Sequence, residues 1–222
     1  MPSMSDPPVP IEVSYKPSVQ IAKLPASASI EQAIEILDRD GGLILTDFAT
    51  PEQLDQIECD TAPHREADKP SRTTIVWGMV GKSATMAALC EHPLLAKICK
   101  HILTDSGEKS MEDASLTYNF EPLLSISASL RIGPGMVRQR LHRDDVLHLV
   151  DHSKPYSLNN SSQLGCLIAA CETKQENGAT MFVPGSHRWG ANRKPKLEEI
   201  SFAGTQSSFV FIASAHGSFF CC

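Results

Sequence analysis

Ser125-Ile-Ser-Ala-Ser-Leu-Arg-Ile132 alternates without a break, with Ile126, Ala128, Leu130 and Ile132 at every second position. Extended backbone puts those four on one face and the serines and Arg131 on the other, so the period predicts a half-buried strand. Gly133-Pro134-Gly135 ends it. Downstream, residues 164–171, 179–183 and 208–213 read as further strands, separated by polar turns such as Gln175-Glu176-Asn177-Gly178. Upstream the period is helical. Ser29 and Gln32 form a capping box ahead of Ile30, Ala33, Ile34 and Leu37, and Gly41-Gly42 stops that helix. Leu43-Ile44-Leu45-Thr46 reads as a buried strand. Thr50 caps a second helix, with Pro51 in its first turn and Gln53 completing another box. Residues 72–80 read as extended, 83–103 as helical with a division at Pro93, and 104–113 as a polar loop. Helices first and short strands afterwards predict an α+β chain, a double-sheet β fold with its N-terminal helices packed outside. The polar, proline-rich first 20 residues read as a flexible arm, and residues 21–222 as a single domain.

Composition narrows the function classes. A hydrophobic fraction of 41% and a charged fraction of 21% over 222 residues suit a globular chain with a core of its own. A formal net charge of -6, with no cluster of Lys and Arg, provides no footprint for nucleic acid. No stretch approaches the ~18 apolar residues of a membrane span, and no basic segment followed by an apolar run marks a signal peptide. Cys59, Cys90, Cys99, Cys166, Cys171, Cys221 and Cys222 form no CxxC pair, and their odd number argues against a closed disulfide framework. A cytoplasmic protein with reduced thiols is expected.

The strongest local feature is Leu141-His142-Arg143-Asp144-Asp145. On extended backbone His142 and Asp144 share a face and Asp145 turns away. One imidazole and one carboxylate converging on a point supply two members of the facial triad that binds non-haem iron. Taken alone, H-x-D reads equally as a surface loop of solvated charges. Two further stretches bear on the choice. One is Asn177-Gly-Ala-Thr-Met-Phe-Val-Pro-Gly-Ser-His-Arg-Trp189; the other is His216, just beyond the apolar run Phe209-Val-Phe-Ile-Ala213.

With these motifs, and with Asp40-Gly-Gly-Leu43 and Val80-Gly-Lys-Ser83, the chain from residue 21 to 216 resembles the phytanoyl-CoA dioxygenase-like family of iron(II)/2-oxoglutarate-dependent oxygenases. The likeness is greatest to fungal members that tailor alkaloids and meroterpenoids. The second histidine lies 216 − 142 = 74 positions beyond the first. The resemblance implies a double-stranded β-helix (jelly-roll, cupin-like) core and an iron(II) ion held by His142, Asp144 and His216. It implies 2-oxoglutarate and O2 as co-substrates, with Gln139 and Thr180 near the 2-oxoglutarate. It also implies a small natural-product substrate, no nucleic-acid or membrane partner, and a homodimer. In the family, oxidative decarboxylation of 2-oxoglutarate produces an oxidant that removes hydrogen from an unactivated C–H bond. His187 competes as third ligand, though its Pro-Gly-Ser-His turn reads better as scaffold. His148 and His152 read as pocket lining or as solvated loop residues. Trp77 and Met79 read as a substrate wall or, preferably, as core.

One departure stands out. The family continues past the second histidine with an arginine for the distal carboxylate, a strand and a helix, whereas this sequence ends six residues after His216 as Gly217-Ser-Phe-Phe-Cys-Cys222. The expectation is a core lacking its C-terminal strands, an incomplete co-substrate pocket and weak turnover. The alternative is a non-catalytic relative acting as a subunit or binding module. A hydrolytic zinc site is disfavoured, because no general base or oxyanion hole is evident.

Overall fold

The computed structural model describes residues 14–65, 73–112, 114–145, 156–158, 161–190, 192–204, 210–214 and 220–221, with residues 212–214 and 220–221 described by their backbone. In chain order the elements are β1 (Ala22–Pro25), α1 (Ile30–Asp40), β2 (Gly42–Thr46), α2 (Pro51–Thr61), β3 (Thr74–Trp77), α3 (Ala84–Cys90) and α4 (Pro93–Leu103). There follow β4 (Asp105–Met111), β5 (Ala114–Phe120), β6 (Ala128–Arg131), β7 (Leu164–Ile168), β8 (Met181–Phe182), β9 (Ser201–Phe202), β10 (Val210–Ser214) and β11 (Phe220–Cys221). Helix and sheet are mixed, as expected. No helix among the described residues is long and apolar enough to cross a membrane. The residues fall into two compact units, one within Met1–Phe48 and Arg138–Cys222, the other within Ala49–Val137.

The first unit contains two sheets. One has the strand order β1-β2-β10-β7 and the other β11-β8-β9. Strands β1 and β2 are parallel, which requires a crossover, and α1 provides it. The Ser29–Gln32 capping box starts that helix, and Gly41 in the left-handed region (φ 77°) ends it by donating its N–H to the Leu37 carbonyl at 2.9 Å. Strand β2 lies between β1 and β10, so Leu43, Ile44 and Leu45 are fully buried, as their unbroken apolar run predicts. Ile44 and Phe211 of the larger sheet pack with Ile21, Phe182 and Ala203 in one core cluster. Phe182 of the smaller sheet meets Phe211 edge-on at a centroid distance of 5.1 Å.

The end of α1 is a junction. Asp40 is fully buried, and its carboxylate accepts from the Ser18 N–H (2.8 Å) and from Arg39 Nε (3.0 Å) and Nη2 (2.8 Å). Burial pushes the Asp40 carboxyl upward, but the hydrogen bonds from Arg39 and Ser18 outweigh it and hold the group below the usual carboxylate range. The Asp40 carbonyl accepts the Gly185 N–H at 2.7 Å, and Tyr15 donates its hydroxyl to the Arg39 carbonyl. Residues 15 and 18, read from composition as part of a flexible arm, are thus hydrogen-bonded to the helix end. A Cβ on Gly41 would sit 2.4 Å from His187 Nδ1, so glycine is required there for closeness as well as for its positive φ.

In the second unit α2 starts at the expected Thr50–Gln53 box, and Pro93 takes the first turn of α4. Residues 104–113, read as a loop, are instead largely strand: β4 pairs antiparallel with β5. Nearly every residue of β4 is exposed, so neither face needed apolar residues and the period-2 signal was absent. The alternating stretch 125–132 forms a strand only over β6, paired with β3. Ile126, Leu130 and Ile132 are exposed, so the face expected to be half-buried is not. Trp77 is 60% exposed and Met79 2%, so core packing describes Met79 alone.

Two outcomes follow from the junction. Gly41→Ala destabilises the fold by about 2–4 kcal/mol through left-handed strain and overpacking. His187→Ala made in that background costs less than in the wild type, as a double-mutant cycle by chemical denaturation will show. Because the Asp40 carboxyl is lowered in the fold, its contribution is complete above its unfolded pKa of about 4 and fades as pH falls through the folded value. The stability gap between wild type and Asp40→Asn is therefore constant above about pH 5 and narrows below about pH 4. A gap that widens in acid would contradict this.

Candidate metal centre

The segment Leu141-His142-Arg143-Asp144-Asp145 is not a regular strand. His142 makes a single β-bridge, and Asp144 and Asp145 enter a 3-10 turn. The first and third side chains of the H-x-D nevertheless converge, with His142 Nε2 lying 3.2 Å from Asp144 Oδ1. Both side chains are 42% exposed, which leaves the pair open to a ligand from solvent. Asp145 turns the other way and is 1% exposed.

The tautomer of His142 follows from its other nitrogen. Nδ1 lies 2.9 Å from the Arg140 carbonyl oxygen. A carbonyl only accepts, so Nδ1 carries the proton, and in the neutral ring Nε2 presents a bare lone pair. That lone pair faces a carboxylate oxygen, an arrangement that calls for a cation, either a proton on Nε2 or a metal ion. Two donors each about 2.1 Å from a divalent first-row ion and at right angles around it lie about 3 Å apart. The 3.2 Å separation fits adjacent ligands of one ion. A backbone carbonyl on the outer nitrogen is also the support that metal-binding histidines commonly have.

His216, the expected third ligand, lies outside the described residues, as do His148 and His152. Among the described residues no group of three or more His, Cys, Asp or Glu could hold a metal.

Gln139 is exposed on the stretch leading to His142, and Thr180 is half-buried just before β8, its carbonyl accepting the Ala203 N–H at 2.7 Å. Their neighbours touch, since Arg138 Nη1 lies 3.7 Å from Met181 Sδ.

The turn after β8 is scaffold, as its sequence indicated. His187 is 1% exposed, donates Nε2–H to the Asp38 carbonyl at 3.0 Å and meets the Tyr156 ring edge-on at 4.6 Å. Arg188 grips the same carbonyl through Nε (3.1 Å) and Nη2 (2.8 Å), and its Nη2 also reaches Asp38 Oδ2 at 2.8 Å. Its guanidinium lies over the rings of Tyr15 and Tyr156, 4.5 and 4.7 Å from their centroids. Burial raises both phenols, Tyr15 to about 12, so they stay neutral beside Arg188.

Arg143 was not singled out by the sequence. Its Nη2 points at the carbonyls of Ser186 (3.4 Å) and Trp189 (3.3 Å), in the same turn. Burial lowers its pKa, and the Asp145 charge opposes that shift. No local pattern pairs Arg143 with positions 186 and 189, or Arg188 with Asp38, because these contacts span 43, 46 and 150 positions.

Comparison with known proteins identifies the family. The model of the phytanoyl-CoA dioxygenase (PhyH) family matches residues 37–220, a span that includes Gln139, His142, Asp144, Thr180 and His216. Dioxygenase swnH1 of Arthroderma benhamiae is 39% identical over 225 residues, covering 95% of this chain and 73% of that protein. Dioxygenase swnH1 of Metarhizium robertsii is 37% identical with the same coverage. Among solved structures, the non-heme α-ketoglutarate-dependent carbocyclase SnoK from nogalamycin biosynthesis superimposes with a TM-score of 0.60 at 13% identity. That match covers 90% of this chain and 80% of SnoK. The epimerase SnoN, in complex with Fe3+, α-ketoglutarate and nogalamycin RO, superimposes with a TM-score of 0.54 at 17% identity, over 86% of this chain and 76% of SnoN. At such identities the likeness is one of fold. The family match over most of the chain, together with relatives at 39% and 37% identity, means that this chain belongs to the phytanoyl-CoA dioxygenase (PhyH) family and is a dioxygenase.

Proposed function

We propose that the chain binds iron(II) through His142, Asp144 and His216 in a double-stranded β-helix core and uses 2-oxoglutarate and O2 to oxidise a small natural product of fungal secondary metabolism. The observation that carries this is the His142–Asp144 pair: an imidazole nitrogen and a carboxylate oxygen 3.2 Å apart, with the outer nitrogen of the ring committed to the Arg140 carbonyl. Proteins sharing the fold support the co-substrate, since SnoK and SnoN are α-ketoglutarate-dependent enzymes acting in the biosynthesis of a natural product.

The residues divide the task. Two neutral imidazoles and one carboxylate cancel only part of a divalent charge, so the site stays attractive to an anionic 2-oxo acid. Three ligands on one face of the ion would leave the opposite face for the co-substrate and O2. Gln139 and Thr180 are the side chains that would donate hydrogen bonds to the co-substrate. Bound iron(II) would supply the electron chemistry that couples decarboxylation of the oxo acid to attack on a C–H bond. The protein's part is to position both substrates and exclude water.

Anaerobic titration with iron(II) and 2-oxoglutarate tests this. The wild-type chain is expected to develop the weak visible charge-transfer band of the chelate. His142→Ala, Asp144→Ala and His216→Ala each weaken metal binding by more than the roughly 10–100-fold that loss of an outer partner costs. A folded wild-type chain that gives no band removes the proposal.

A further inference from the structure

We propose that Arg143 is a positioning residue for the metal centre, an anchor that sets the two flanking ligands by tying them to the 186–189 turn. The inference rests on the metal-binding role of His142 and Asp144 proposed above and extends it to the side chain between them.

The geometry is specific. His142 and Asp144 point one way, towards each other, while Arg143 points the other way into the protein. There a single nitrogen, Nη2, faces two backbone carbonyls, at 3.4 Å on Ser186 and 3.3 Å on Trp189. Both acceptor residues are buried, Ser186 at 0% and Trp189 at 4% exposure, so the guanidinium is held in a dry place by carbonyl dipoles and by the neighbouring Asp145 carboxylate. The turn that offers those carbonyls is closed on itself by Trp189 N–H to Ser186 O at 3.1 Å. It is also fastened to α1 by Gly185 N–H to Asp40 O at 2.7 Å and by the grip of Arg188 on Asp38.

A load path therefore runs from the end of α1, through the turn, to the Arg143 side chain, and ends in the backbone that carries both ligands. This matters because the ligand segment has almost no regular structure of its own. It has one β-bridge and the start of a 3-10 turn, whereas a metal site needs its donors held to within about 0.5 Å. The two N–H groups on Nη2 are fixed in the guanidinium plane, so one nitrogen addresses both carbonyls in a set direction. The ammonium of lysine keeps the charge and the donors but rotates freely and reaches less far, so lysine would be an imperfect replacement.

Cobalt(II) titration followed by ligand-field absorption, which reports both affinity and coordination geometry, tests the idea without turnover. The set comprises wild type, Arg143→Lys, Arg143→Met and His142→Ala, with Arg193→Met as a control. Arg193 also packs against the turn, over the Trp189 ring at 3.6 Å, but is bound to the exposed side by Glu199. Thermal melts of each variant show whether it is folded. The expected result is a His142-dependent cobalt spectrum in the wild type. Arg143→Met, while folded, should bind roughly 10–100-fold more weakly with altered band positions, and Arg143→Lys should fall between. Arg193→Met lowers the melting temperature at most and leaves the spectrum intact. If Arg143→Met does not fold, Arg143→Lys carries the comparison. Folded Arg143 variants with the wild-type affinity and spectrum overturn the inference and leave the metal reading standing. A folded wild type with no His142-dependent spectrum overturns both.

Discussion

The structure around the candidate site depends on the seating of a tight turn on the end of a helix. The α1 corner at Asp38–Gly41 exposes backbone carbonyls that the helix itself cannot satisfy. The 185–188 turn satisfies two of them: Gly185 donates to Asp40, and His187 and Arg188 to Asp38. His187 fits only because Gly41 has no side chain. The contact joins positions about 150 apart and ties the helix end to the strand bearing Phe182.

The chemistry of the corner explains its composition. Asp40 is a fully buried carboxylate, tolerable only because the Ser18 N–H and the Arg39 fork supply hydrogen bonds and opposite charge. Arg188 is stacked against the faces of two tyrosines, where a guanidinium is better suited than an ammonium. The hydrogen bonds of Asp40, His187 Nε2 and Arg188 give the corner a defined geometry that an apolar contact of equal area would lack. The ligand segment borrows that definition through Arg143.

The H-x-D pair succeeds by a route other than the one its spacing implies. Period-2 geometry on a strand would place both side chains on one face, but Asp144 belongs to a 3-10 turn. Convergence survives because a bridge residue followed by a turn can bring the two side chains together as well as an extended strand can. Spacing pointed to the pair, and the two side chains lie 3.2 Å apart on a backbone that is not a strand.

Local signals determined the helix starts, with both capping boxes at Ser29 and Thr50 formed as written, and the buried β2 run, because caps and periodicity act over a few residues. They also marked His142, Asp144 and the 177–189 stretch as belonging together. They missed the β4–β5 hairpin, where two exposed faces left no apolar alternation to read, and they overstated burial along residues 125–132, since alternation says which residues share a face but not whether anything covers it. Sequence alone thus determined the family. Only the tertiary structure decided that His187 faces the helix end while His142 faces its carboxylate, because that choice depends on which carbonyls come within reach once distant segments have packed.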